Sequence, residues 1–164
     1  MYNSAMLTRL TICLGIVLLL AGCRSREVEK DISITDIHSG WYDVGVVDGQ
    51  NKLVPSISFS LKNVSDQTLS TLQVNAVFHR VSEPKDEWGT GFLTAVGSEG
   101  LPPGAATPTL TIKSQLGYKG TDPRETLLHN SQFVDAMVVI LAKYGSAQWT
   151  KIGEFPIARQ LITH

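Results

Sequence analysis

Catalysis and metal binding need a few side-chain types held close together, and this chain offers several of them at unpromising spacings. Its four histidines, His38, His79, His129 and His164, are scattered along 164 residues. None belongs to an H-x-x-x-H pair or has a carboxylate at ligand spacing, so no metal site is expected. Glu83, Asp86 and Glu87 form an acidic run, but paired carboxylates work as acid and base only where burial or close like charge raises a pKa. Their segment, Ser82-Glu83-Pro84-Lys85-Asp86-Glu87, reads as an exposed loop. Gly89-Thr90-Gly91 sits in a strand-like context and opens no helix, and there is no Gly-x-Ser-x-Gly elbow. Neither an enzyme nor a cofactor is expected.

Two kinds of residue remain. Aromatic side chains at Trp41-Tyr42, Trp88 and Trp149 suit sugar rings or partner proteins where their faces are exposed. Trp88, between the charged Glu87 and Gly89, is the first binding candidate and Trp41 the second. The other kind is cysteine, of which there are two. Cys13 lies in an apolar run from Leu10 to Leu20 that follows Arg9, and Cys23 follows the small pair Ala21-Gly22. Charge, apolar core and small residues, in that order, make a secretory signal. Crossing a bilayer as a helix takes roughly 20 apolar residues, more than this run supplies, so a permanent span is not expected.

Leu20-Ala21-Gly22-Cys23 resembles the lipobox of bacterial lipoproteins. The resemblance implies cleavage after Gly22, with a diacylglycerol on the Cys23 sulfur and the cysteine as new N-terminus. Each buried CH₂ contributes on the order of 0.8 kcal/mol, and two acyl chains suffice for stable attachment. By the family's sorting rule, Arg24 in place of Asp implies an outer membrane, facing the periplasm, in a host with two membranes. Membrane contact is thus expected through lipid on Cys23.

Removing residues 1–22 leaves 142 residues and, with Arg9 gone, 13 Lys+Arg against 15 Asp+Glu. That size fits one domain, and a slightly acidic balance is not that of a nucleic-acid binder. Arg24-Ser25-Arg26-Glu27-Val28-Glu29-Lys30 suits a solvated tether over residues 23–30, with order beginning near Ile32 and a domain over 31–164.

The elements that must position any site follow a period of two. Ile32, Ile34 and Ile37 mark one strand and Trp41–Val47 a second. In Val54–Asn63, Ile57, Phe59 and Leu61 face inward and Ser56, Ser58, Ser60 and Lys62 outward. Leu72, Val74, Ala76 and Phe78 form its antiparallel partner. Further strands are expected over Trp88–Val96, with Gly89 and Gly91 at a bulge or edge, and over Thr107–Lys113. Asp122-Pro123-Arg124-Glu125 supplies the parts of a capping box for a short helix to His129, closed by Asn130 as a left-handed cap. Phe133–Tyr144 reads as a central strand and Gln148–Ile157 as its hairpin partner. About seven or eight strands and one short helix predict an all-β, immunoglobulin-like two-sheet sandwich.

From residue 54 to 113 the pattern is similar to small β-sandwich domains of envelope proteins, including the FxLYD type. The matching parts are Ser58-Phe59-Ser60-Leu61-Lys62-Asn63, Ser65-Asp66, Leu72–Phe78 and Leu101-Pro102-Pro103-Gly104; Phe78-His79-Arg80 departs from the signature. The resemblance implies a binding or assembly module. The leading expectation is therefore a non-catalytic envelope lipoprotein that docks to another envelope protein. The alternative is a ligand-binding domain for cell-wall glycan or a lipophilic molecule, with Trp88 or Trp41 as stacking surface, and an envelope hydrolase ranks last.

Overall fold

The computed structural model describes residues 27–162. The chain order is α1 (Val28–Asp31), β1 (Ile32–Val47), β2 (Gln50–Asn63), β3 (Leu72–Arg80), β4 (Glu83–Val96), β5 (Leu110–Lys113), β6 (Tyr118–Gly120), α2 (Arg124–Leu127), β7 (Ala136–Tyr144), β8 (Thr150–Pro156) and β9 (Leu161–Ile162). One sheet runs β5-β2-β1-β9, with β6 also on β2; the other runs β4-β3-β7-β8. The chain crosses between sheets after β2, after β4, before β7 and after β8. This is an all-β sandwich with the Greek-key crossings of the immunoglobulin-like type. The nine strands and two short helices among the described residues exceed the expected seven or eight and one.

Alternation builds the core. Ile57, Phe59 and Leu61 of β2 face Val74, Ala76 and Phe78 of β3 and Val138 and Ile140 of β7, all fully buried. Burying each large one contributes roughly 1.5–3 kcal/mol. Strand β7 lies centrally between β3 and β8 as expected, although only one of its faces, Ala136-Val138-Ile140-Ala142, is fully buried.

Several local expectations are corrected. The two strands predicted over 32–47 are one, kinked by a bulge between Thr35 and His38, where Asp36 takes a φ of 53°. Asp48 and Gly49, with φ of 54° and 77°, then close a two-residue hairpin into β2, the conformation that Asp-Gly favours. Ser56, Ser58 and Ser60 are buried rather than wet. Strand β2 is flanked on both sides, Ser58 Oγ lies 2.8 Å from Thr111 Oγ1, and Lys113 reaches across β2 to stack 3.2 Å over the Tyr42 ring. The predicted loop over 82–87 is instead the start of β4, because Val81-Ser82 alone makes the turn and Arg80 pairs with Glu83.

The helix near 124 carries no capping box: its N-cap is Pro123, without a side-chain bond. Asp122 Oδ2 accepts instead from Asn130 Nδ2 at 2.9 Å. Asn130 is not left-handed; its Oδ1 accepts from the Gln132 N–H at 2.8 Å. The tether boundary also moves. Val28 is only 4% exposed and belongs to the core, so the folded unit starts before Ile32.

Gly89 and Gly91 do lie on an edge strand beside a bulge at Trp88, where the β3–β4 register shifts between Phe78 and His79. A Cβ on Gly91 would meet Ile112 Cγ2 at 2.2 Å, and one on Gly89 would meet Ser114 Oγ at 2.2 Å. The missing side chains let β4 close against β5.

Candidate functional site

Trp41 and Trp88 do not present faces to solvent. Trp41 is 0% and Trp88 9% exposed, and both belong to an aromatic cluster in the core. The Trp41 ring lies 4.5 Å from Phe133 and 6.0 Å from Trp88, and Tyr118 lies 4.9 Å from Phe133. Arg80 covers Trp88 at 5.3 Å. The cause is strand phase: Trp41 shares the inward face with Pro55 and Ile57, so its bulk fills the sandwich. Trp41 Nε1 is buried without a hydrogen-bond partner.

The remaining predicted positions stay apart. His38 and His129 are exposed, and a His79 ring nitrogen lies 3.1 Å from the Asp86 carbonyl. Glu83, Asp86 and Glu87 are exposed on the β4 edge. Among the described residues, no three His, Cys, Asp or Glu side chains stand close enough to hold a metal. Cys23 and His164 lie outside the described residues.

What the fold does assemble is an open face on the outside of the β4-β3-β7-β8 sheet. Pairing registers set its rows: Phe92, Asn75, Leu141 and Lys151; Thr90, Val77, Val139 and Glu154; His79 and Met137 beyond them. Val77, Val139, Leu141 and Met137 are half-buried and Phe92 is 59% exposed. Trp149, just before β8, leans over the sheet so that its ring meets Phe92 edge-on at 6.1 Å, with Lys143 Nζ 4.9 Å above it. The two rings come from opposite edges of the sheet and span β3 and β7. Asn75 Oδ1, on β3 between those edges, is buried and has no hydrogen-bond partner.

Both free edges of this sheet are blunted, in ways that discourage strand addition. Strand β4 carries Pro84, Lys85 and a bulge and abuts β5. Strand β8 carries Lys151 paired to Glu154, a bulge near Ile152, Pro156, and α1 packed alongside. The face is open where the edges are closed.

Trp149 stood among the sequence's aromatic candidates, but Phe92 did not. Its signal was the alternation of β4, which puts Phe92 opposite in phase to Gly89 and Gly91.

No protein-family model matches this chain, and no curated protein matches it. One similar solved structure is the X-ray structure of Northeast Structural Genomics Consortium target SoR45, at 13% identity and a TM-score of 0.45, covering 80% of this chain and 89% of that one.

Proposed function

We propose that the chain is a non-catalytic envelope lipoprotein, lipidated at Cys23, whose sandwich docks to another envelope protein through the outer face of the β4-β3-β7-β8 sheet. The observation that carries the reading is that face, on which Phe92 is exposed and Val77, Val139 and Leu141 are half-buried between two blunted edges. Contiguous apolar surface on a small domain marks an interaction site. A broad sheet face suits a protein partner. The Cys23 anchor rests on the lipobox resemblance, and the outer membrane, facing the periplasm, follows from Arg24 by the same family rule.

A photoactivatable residue placed at Val77 or Val139 tests the docking face in the native membrane, with Thr111 on the opposite sheet as comparison. The reading expects one discrete adduct from the two face positions and none from Thr111; equal labelling from all three overturns it. For the anchor, Cys23→Ala should abolish fatty-acid labelling, and persistent labelling removes that half of the proposal.

A further inference from the structure

The sandwich has two ends, and its exposed aromatic residues sit towards the one from which the tether leaves. Helix α1 packs against β7 and β8, and the Tyr144 hydroxyl donates to Asp31 Oδ2 at 2.9 Å. The Val64 N–H donates to the Asp31 carbonyl at 2.9 Å, bringing the β2–β3 turn to the same end. The β7–β8 turn that follows Tyr144 carries Trp149, so the chain enters the domain at the end that carries this turn. Among the described residues, Phe92 and Trp149 are the exposed large aromatic side chains; the other exposed large hydrophobics are aliphatic.

We infer that this end rests on the bilayer surface, with Trp149 and Phe92 entering the headgroup layer beside the anchor. The inference depends on the proposal that Cys23 is lipidated. Four residues lie between Cys23 and Val28, and the Cα–Cα steps from one to the other, fully extended, reach at most about 17 Å. A domain held that close cannot keep the Trp149 end far from lipid. Indole is suited to the headgroup layer, being apolar in body with a polar N–H. Lys143, stacked on the Trp149 ring, has a stem long enough to lay along apolar surface while its ammonium reaches a phosphate.

Charge does not drive this contact. At the same end Lys30, Lys62 and Lys143, with Arg24 and Arg26 of the tether, meet Glu27, Glu29, Asp31, Asp66 and Glu99, no basic excess for anionic lipid to attract. Apolar burial of the two rings is the source of affinity, so the contact forms on neutral lipid and resists salt. Val77, Val139 and Met137 lie on the same face but one and two rows further from that end, where a partner reaches them.

The test couples the mature chain, from Cys23, through its single thiol to a maleimide lipid in phosphatidylcholine vesicles. Chemical coupling sets the anchor whether or not the cell lipidates Cys23, so fatty-acid labelling in cells judges the anchor and the vesicles judge the surface. Lipids brominated near the glycerol backbone report tryptophan depth by quenching. Trp41 and Trp88 are core residues, and Trp149→Phe supplies their emission as background. The Trp149 component should shift to the blue, be quenched by the brominated lipid and become several-fold less accessible to iodide, equally at low and high salt. Phe92→Ser should weaken all three signals. Trp149 as open to iodide on vesicles as in solution overturns the inference, and so does quenching that requires anionic lipid and vanishes with salt.

Discussion

Asn63 shows how one side chain can organise a fold. It is fully buried at the end of β2, where its Nδ2 donates to the Gln67 and Leu101 carbonyls at 2.8 and 2.9 Å and its Oδ1 accepts from the Ser65 N–H and hydroxyl at 2.9 and 2.8 Å. Its backbone carbonyl accepts from the Gly104 N–H at 2.9 Å. The side chain therefore fastens the Ser65-Asp66 turn to the Leu101-Pro102-Pro103-Gly104 turn, segments 36 residues apart that the sequence presents as separate motifs. Removing a buried partner leaves the groups it satisfied unpaired, at roughly 1–3 kcal/mol for each. Asn63→Ala should lower unfolding free energy by at least about 2 kcal/mol in urea melts, with Asn63→Asp recovering little because it loses both donors. A loss under about 0.5 kcal/mol would mean that water replaces the side chain. At this scale the sequence was poorly legible. Trp41 and Trp88 read as binding candidates because residue type alone does not say which face of a strand a side chain occupies. Their burial was fixed by partners far along the chain, Phe133 and Tyr118, that no local pattern could supply.

At the scale of elements, period-two alternation placed β2, β3 and β7 correctly, since each has one face locked into the core. It failed where a strand is bent or lies at an edge. The break read between Ile37 and Trp41 is continuous strand, with a bulge just before it between Thr35 and His38, and the Asp48-Gly49 hairpin signal was present but unused. Strand β4 begins in Glu83-Pro84-Lys85-Asp86-Glu87, a composition that reads as loop; in the fold those residues instead protect an edge. Gly91 tests why that edge can sit where it does. Its backbone has no positive φ, so the cost of adding a methyl comes from close contacts, chiefly Ile112 Cγ2 at 2.2 Å and then the Lys113 carbonyl at 3.1 Å. Gly91→Ala should destabilise by about 1–3 kcal/mol, the range for overpacking a well-filled site. Combined with Ile112→Ala, which removes the clashing Cγ2, the same substitution should cost less than the two single losses together. Thermal melts of the single and double variants decide this: if the two losses simply add, the β4–β5 approach is not what the glycine serves.

For the whole molecule, the two sheets are joined at the end remote from α1 by the segment after β8. Arg159 Nε and Nη2 donate to Asp135 Oδ1 and Oδ2 at 2.6 and 3.0 Å, and its guanidinium lies 5.4 Å from the Phe133 ring centre. Next to it, the Gln160 carbonyl accepts from the Trp41 N–H at 2.8 Å, which leads into the parallel pairing of β9 with β1. The ion pair thus clips the crossover before β7 to the strap that reaches the other sheet. Hydrogen bonding from Arg159 is the main cause that holds the Asp135 carboxyl below its usual value. A carboxyl with a lowered folded pKa binds its proton more readily in the unfolded chain. The stability it adds is therefore complete above the unfolded value, near 3.9, and is lost as pH falls through the lower folded one. Exposure of both side chains, 51% for Asp135 and 42% for Arg159, keeps the contribution small and screened by salt. Asp135→Asn should flatten the acid limb of the melting temperature below about pH 4 while leaving the neutral plateau only slightly lower, and added salt should narrow the gap between variant and parent. An acid limb identical in variant and parent would show that the strap is held by its backbone pairing and by Phe133 packing, and that the ion pair is incidental to closing the sandwich.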